Sequence, residues 1–99
     1  MIVAAFVPDL MDRSRLRSVV DLFVPTITAL AEVVADVVVI DLGRPGALDA
    51  VIDLAPRLRV VGFGSHVDTE LLAAARQAGA EVLPRSRFFA NPAAALQTD

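Results

Sequence analysis

The sequence predicts an α/β fold in which helices cover both faces of a doubly wound parallel sheet. The chain has 99 residues, of which 56% are hydrophobic, and its mean hydropathy is +0.62. So apolar a composition suits strands that are buried on both sides. Short apolar runs also alternate with segments of helical periodicity in the order βαβαβαβαβα, which implies parallel strands with right-handed crossovers. At this length we expect one domain over residues 1–99.

The beginning of the chain predicts a buried strand followed by a helix. The apolar run 2–7 is the first strand, and Pro8 ends it because proline cannot donate to a ladder. A helix is expected from about 13 to 23, with Asp12 or Ser14 as its cap. Its apolar face consists of Leu16, Val19, Val20 and Phe23.

The second strand and helix are compressed in this prediction. They must fit between Phe23 and Asp36, which leaves room for a short strand over 24–27 only. Thr28 is the expected cap of a short helix that follows it. We therefore expect this layer of the fold to be shortened.

The remaining elements have clearer boundaries. Pro56 ends a helix, because the residue before a proline avoids the helical conformation. Asp68, or Ser65 with Asp68 three residues later, caps a helix that stops at Gly79, the expected left-handed residue. The pair Asn91–Pro92 begins a last helix of a turn or two. The predicted strands cover 37–42, 59–63 and 81–83, and a further predicted helix covers 48–55.

Charge and composition disfavour several classes of function. The formal net charge is −3, and the nine basic residues are spread along the chain, so we expect no nucleic-acid interface. The longest apolar stretches are interrupted by Pro8, Asp36 and Asp41, and they fall short of the roughly 18 residues that a membrane span needs. There is no cysteine for disulfides. The amino terminus has the pattern of a strand and lacks that of a secretory leader, so a cytoplasmic protein is expected.

Asp41 is the strongest candidate for a functional residue. It ends the apolar run 37–40 and precedes the turn 43–46, which places it at the carboxyl edge of the predicted sheet. Every basic residue of the chain is arginine, so no lysine can accompany this carboxylate. With Asp9 and Asp12, Asp41 could form a site for a hard cation such as Mg²⁺, because such ions prefer oxygen ligands.

Other polar residues follow the neighbouring strands at the same edge. Arg85, Ser86 and Arg87 follow the last strand and could bind an anion. His66 stands before a helix, where it either bonds locally or acts as a pH-sensitive or ligand-contacting residue. The chain has one histidine, which disfavours a zinc site. Gly64, in Gly62-x-Gly64, would let this loop pass close to the carboxylate at the end of the central strand.

Four segments resemble the receiver domain of two-component response regulators, over essentially the whole chain. They are Val37–Leu42 followed by Pro45-Gly46, the segment 60–68, the segment 73–80 with Ala78-Gly79-Ala80, and Val82-Leu83-Pro84-Arg85. The resemblance implies a flavodoxin-like fold with strand order 2-1-3-4-5. It also implies that Asp41 is the phosphoacceptor in an acidic pocket at the carboxyl edge, and that the protein regulates rather than catalyses.

The chain departs from the receiver pattern at most other positions of that pocket. In place of the acidic pair that binds Mg²⁺, it has Asp9 alone, one or two positions late. The hydroxyl residue corresponds to Gly64, with Ser65 adjacent, and the lysine corresponds to Arg85. Losing one electrostatic partner costs about 3–4 kcal/mol of transition-state stabilisation. These departures are typical of a degenerate receiver, or pseudo-receiver.

The sequence thus favours a stand-alone pseudo-receiver, without cofactor, that regulates by binding another protein or a second copy of itself. A truncated last helix would leave apolar surface exposed for a homodimer or a partner. The expected interface residues are Leu83, Phe88, Phe89 and Leu96. Two alternatives stay open: an atypical phosphoacceptor that uses Asp41, Asp9 and Arg85, and a module that binds a small anion or a metal at the same edge.

Overall fold

A computed structural model describes residues 1–97 of the chain. The strands are β1 (Val3–Phe6), β2 (Leu22–Phe23), β3 (Val37–Asp41), β4 (Arg59–Gly64) and β5 (Glu81–Pro84). The α-helices are α1 (Leu10–Leu16), α2 (Ala47–Leu54), α3 (Thr69–Gln77), α4 (Arg85–Ala90) and α5 (Pro92–Leu96), and a 3₁₀ helix covers Ile27–Glu32. No helix in the described part of the chain combines the length and apolarity that crossing a membrane requires.

The strands form one parallel sheet in the order β2-β1-β3-β4-β5. This order confirms the flavodoxin-like fold. The central strand β3 pairs with β1 from Val37 and with β4 as far as Asp41, which lies opposite Phe63. All five residues of β3 are buried, as expected for a strand covered on both faces.

Alternate residues of the strands face two separate apolar layers, because side chains along a strand point to opposite faces. Val38 and Ile40 belong to one layer, which is closed by the 3₁₀ helix, α2 and α3. Val37 and Val39 belong to the other, which is closed by α1, α4 and α5. In this second layer the rings of Phe63, Phe88 and Phe89 lie with their centroids 5.0–5.2 Å apart.

The helix predicted over 13–23 is present, but its bounds are wrong, because α1 covers Leu10–Leu16. The helix ends at Leu16, whose carbonyl accepts from the N–H groups of both Val19 and Val20. The chain then extends beside β1, where the Asp21 N–H donates to the carbonyl of Val3 at 2.8 Å. Pairing with β1 therefore overrides the local helical periodicity, and the residues at 22–23 form β2.

The next two predicted elements also shift. The strand predicted over 24–27 is wrong, because β2 has already ended before it. The predicted helix is present as a short 3₁₀ helix, and it is capped by Thr26 rather than by Thr28. The Thr26 hydroxyl accepts from the N–H of Ala29 at 3.3 Å. As predicted, this layer of the fold is shortened.

The exposed apolar interface predicted near the carboxyl terminus is wrong. Phe88, Phe89 and Leu96 are 0%, 7% and 2% exposed, and Leu83 is half-buried. The physical reason is that α4 begins directly after β5 and, with α5, folds back over the sheet. Arg59 holds α5 in place by donating to the carbonyl of Leu96 at 2.9 Å.

The predicted caps near the end of the chain are mostly confirmed. Gly79 has a φ of +110° and follows α3, as a left-handed C-terminal residue should. Asn91 caps α5, because its Oδ1 accepts from the N–H of Ala94 at 3.2 Å. Asp68 precedes α3, but its side chain makes no capping hydrogen bond.

Candidate functional site

Asp41 ends β3 at the carboxyl edge of the sheet, where the sequence predicts it. The residue is only 8% exposed. Its Oδ1 accepts from the N–H of Gly43 at 3.0 Å, and its Oδ2 lies 3.3 Å from Nε of Arg44. The carboxylate is thus held by the turn that follows β3, and both of its oxygens have partners within this turn.

Asp12 is the second buried carboxylate at this edge, at 3% exposure. It lies in the first turn of α1, and its Oδ1 accepts from Nη2 of Arg85, the first residue of α4. This ion pair joins the elements that follow the first and the last strand of the chain. The sequence suggested Asp12 as a helix cap or as one ligand of a cation site, and the ion pair is a role that it did not predict.

Arg85 acts electrostatically on all three acids at the edge. Its pKa is raised above the ordinary value chiefly by the hydrogen bond to Asp12, while burial opposes this. The charges of Asp12, Asp41 and Asp9 raise the pKa further, in that order. Its guanidinium carbon also lies 4.9 Å from the ring centroid of Phe89. Arg85 is therefore the cation that interacts with all three acids, in addition to Arg44, which pairs with Asp41 from the turn.

Asp9 has a local structural role. It is the N-cap of α1, and its Oδ1 accepts from the N–H of Asp12 at 2.9 Å. An acidic cap satisfies an otherwise unpaired N–H group and interacts favourably with the helix dipole. The cap predicted at Asp12 or Ser14 is therefore wrong by three or more positions.

The donor set does not fit a magnesium ion. Asp9 accepts from the backbone of α1, and Asp12 is paired with Arg85. Within residues 1–97, no three acidic or histidine side chains converge as a metal site would require. The cation site predicted from Asp9, Asp12 and Asp41 is thus not formed, because an arginine already neutralises the acid that would complete it.

Gly64, Ser65 and His66 lie at the same edge but do not bond to Asp41. Gly64 is buried opposite Pro84 in the sheet. The Ser65 hydroxyl accepts from the N–H of Val67 at 3.4 Å, which makes a local turn. His66 is exposed and makes no hydrogen bond or ion pair in the described part of the chain. These three residues therefore border the pocket without completing it.

The Gly62-x-Gly64 pair has a packing role that differs from the predicted one. A Cβ at Gly62 would lie 2.9 Å from three side-chain carbons of Leu42, and one at Gly64 would lie 3.0 Å from Leu72. The glycines thus make room for apolar side chains in the core. The predicted close passage beside Asp41 belongs instead to Gly43, where a Cβ would lie 3.4 Å from Oδ1 of Asp41.

Two arginines flank a cavity beside this edge. The cavity has a volume of about 390 Å³ and is lined by Arg15, Arg85, Ser86, Phe89 and Ala90. Arg15 lies 4.4 Å from the ring centroid of Phe89, with no hydrogen bond or ion pair in residues 1–97. The cavity thus brings Arg15, and not Arg87, beside Arg85 and Ser86, and an anion site there stays a prediction. The sequence assigned Arg15 to no site, because the stacking depends on a phenylalanine 74 positions away.

Comparison with known proteins relates this architecture to two solved structures. The BeF3-activated receiver domain of DrrB matches over 99% of this chain and 100% of its own, with 19% identity and a TM-score of 0.69. The BeF3-activated receiver domain of nitrogen regulatory protein C (NtrC) matches over 85% of this chain and 81% of its own, with 25% identity and a TM-score of 0.64. No protein-family model matches the sequence, and the search of curated proteins gives no match. The resemblance to response-regulator receiver domains is therefore confirmed at the level of the fold.

Proposed function

We propose that this chain, whose fold is that of response-regulator receiver domains, is a regulatory interaction module and not an enzyme. In this proposal the carboxylates of its edge pocket are neutralised by the chain's own arginines instead of by Mg²⁺. The observation that carries the proposal is the ion pair between Arg85 and the buried Asp12. A cytoplasmic location stays a prediction.

The charges at the edge support this reading. Phosphoryl transfer to a carboxylate depends on positioning and on cations that neutralise the transferred group. Here Asp12 is committed to Arg85, and Asp41 is paired with Arg44. Asp9 is committed to the helix backbone. A metal ion would have to displace these contacts. If Asp41 were phosphorylated, no second free carboxylate would be left to bind Mg²⁺ beside the phosphate.

The same ion pair gives the module one fixed state. Arg85 connects the start of α4 to α1, and its guanidinium lies over the rings of Phe63 and Phe89. A partner would then recognise a constant surface, and regulation would depend on the amounts of the two proteins. The partner is another protein or a second copy of the chain.

The test is the response to phosphoryl donors and their mimics. The purified protein is incubated with Mg²⁺ and acetyl phosphate for intact-mass measurement, and with beryllofluoride for thermal denaturation. We expect no phosphoryl adduct and no stabilisation. An adduct that is absent in Asp41→Asn would overturn the proposal, because it would identify Asp41 as a working acceptor.

One observation favours the alternative of an atypical phosphoacceptor. The charges of Asp41 and Asp9 raise the pKa of Arg85, so a cation lies near the carboxylate that would accept the phosphate. Arginine can hold phosphate with two hydrogen bonds. This alternative requires that an adduct on Asp41 form in the wild type and be lost in Arg85→Met as well as in Asp41→Asn.

A further inference from the structure

An apolar groove lies between the 3₁₀ helix and α2, away from the carboxyl-edge pocket. It encloses about 370 Å³. Leu30 and Leu54 form its buried floor, and Ile27, Ala31 and Ala50 form its walls. The groove exists because a 3₁₀ helix of six residues covers less of the sheet than the full α-helix that would fill this layer.

Two acidic side chains line the groove without partners. Asp49 and Asp53 are exposed, and the side chain of neither makes a hydrogen bond or an ion pair within the described residues. They are four positions apart on α2 and therefore lie on the same side of the helix, about 6 Å apart along its axis. At the far end, Arg57 donates to the carbonyl of Ala31 at 3.1 Å and so joins the two walls. The groove thus presents apolar surface beside unpaired negative charge.

The exposed side of α1 has the complementary character. Leu10 and Met11 are 77% and 75% exposed at its beginning. Arg15 follows Met11 by four positions, and Arg17 follows Leu10 by seven, so each arginine shares a helix face with one apolar residue. Neither arginine side chain forms a hydrogen bond or an ion pair within residues 1–97, and the guanidinium of Arg15 lies over the ring of Phe89. This surface, which we call the α1 face, combines apolar side chains with unpaired positive charge.

We propose that the α1 face of one copy of the chain docks into the groove of a second copy. The two surfaces lie on opposite sides of the sheet, because α1 closes one apolar layer and α2 closes the other. A molecule therefore cannot fill its own groove. Each copy would use its α1 face on one neighbour and its groove on another, which is a head-to-tail contact that extends into chains or closes into rings.

This inference deepens the proposed function and rests on it, since it names the partner of the module as a second copy. One short helix in one groove buries little surface, so the contact is a weak one. Because it pairs exposed charges, its strength falls as salt is added. Association should therefore be sought at high protein concentration and low salt.

Sedimentation velocity with two complementary variants tests the proposal. The groove variant carries Asp49→Lys with Asp53→Lys, and the helix variant carries Leu10→Ser with Met11→Ser. The wild type should form oligomers that grow with concentration and shrink with added salt. At concentrations where the wild type associates, each variant alone should sediment as a monomer, because its association constant is at least about tenfold lower. Their equimolar mixture should form a dimer and nothing larger, because only one intact pair of surfaces is then present.

The control is Glu70→Lys, which changes an exposed acid on α3 outside the groove and should associate as the wild type does. Circular dichroism of each variant establishes that it is folded. A wild type that stays monomeric at all concentrations, a dimer that persists in both variants, or a mixture without a dimer would overturn self-association. None of these results produces an adduct on Asp41, so the failure of this inference is distinct from the failure of the proposed function.

Discussion

Arg85 and Asp12 form an ion pair between residues 73 positions apart in the sequence, and the two partners differ sharply in burial. The side chain of Asp12 is 4% exposed, whereas that of Arg85 is 44% exposed. Removing the carboxylate leaves a cation that water can still hydrate. Removing the arginine leaves a buried carboxylate without its counterion, which is the costlier change.

We expect Arg85→Met to lower the free energy of unfolding by about 1–3 kcal/mol, the usual cost of leaving a buried polar group without its partner. Asp12→Asn keeps the shape of the side chain and should cost less, because Arg85 then remains hydrated. Urea denaturation of the two single variants and the double variant measures both effects and their coupling.

The matched control for this pair is Arg87→Met. Arg87 is an exposed arginine on the same helix with no hydrogen bond or ion pair within residues 1–97. Its replacement should change the free energy of unfolding by less than about 0.5 kcal/mol. Equal losses in Arg87→Met and Arg85→Met would mean that the pair with Asp12 contributes nothing.

Gly62 should not tolerate a larger side chain. The added methyl of Gly62→Ala would lie 2.9 Å from the branch point and both methyl groups of Leu42, so the core must shift. We expect a loss of about 1–3 kcal/mol in the free energy of unfolding, as for other overpacked cores. In a Leu42→Ala background, Gly62→Ala should cost less than it does in the wild type, because the crowded atoms are gone. Gly43→Ala is the control, since its methyl would meet only Oδ1 of Asp41, at 3.4 Å.

The middle of the fold could be predicted because its strands are continuous buried runs. The sequence indicates β3 and β4 to within one residue, since few conformations other than a covered strand bury Val37 to Ile40 without a break. The first helix was misplaced for the opposite reason. The position of β2 is set by its pairing with β1, and the local spacing of Val19, Val20 and Phe23 fits a helix equally well.

At the candidate site, the position of Asp41 follows from the strand that it ends, and so it could be predicted. The pairing of Asp12 with Arg85 could not be predicted, because no local sequence pattern connects α1 with a residue that follows β5. The burial of Phe88 and Phe89 was missed for a similar reason. Two adjacent aromatic residues after Arg87 show no helical period of their own, and the ring of Phe63 on β4, which both contact, is distant in the sequence.

Phe88 should act as a core residue and not as an interface residue. It is fully buried, and its ring stacks on Phe63 at 5.0 Å with an interplanar angle of 8°. We expect Phe88→Ala to lower the free energy of unfolding by about 3–5 kcal/mol, the usual cost of removing a buried aromatic ring. Ile52→Ala, at a site that is 52% exposed, should cost far less. A Phe88→Ala variant of wild-type stability that no longer associates would restore the interface hypothesis.

The ion pair between Arg59 and Glu81 should make stability depend on pH in the acid range. Arg59 donates to Glu81 from Nη2 at 2.9 Å and also from Nε. This hydrogen bonding is the main cause that lowers the pKa of Glu81; burial opposes it, and the charge of Arg59 adds to it.

In the unfolded chain the carboxyl of Glu81 has a pKa of about 4.3. The contribution to stability is therefore complete above that pH and is lost as the pH falls through the lower pKa of the folded state. Since Glu81 is more than half exposed, we expect Glu81→Gln to cost only about 0.5 kcal/mol at pH 7.

The measurement is the difference in free energy of unfolding between the wild type and Glu81→Gln from pH 7 to pH 3. This difference should shrink toward zero in acid, because the protonated carboxyl no longer attracts Arg59. In an Arg59→Met background, Glu81→Gln should have almost no effect at any pH. Arg59→Met itself should cost more than Glu81→Gln, since Arg59 also donates to the carbonyls of Ala95 and Leu96 at the end of α5. A difference that stays constant with pH, or that grows in acid, would contradict the assignment of Arg59 as the group that lowers the pKa of Glu81.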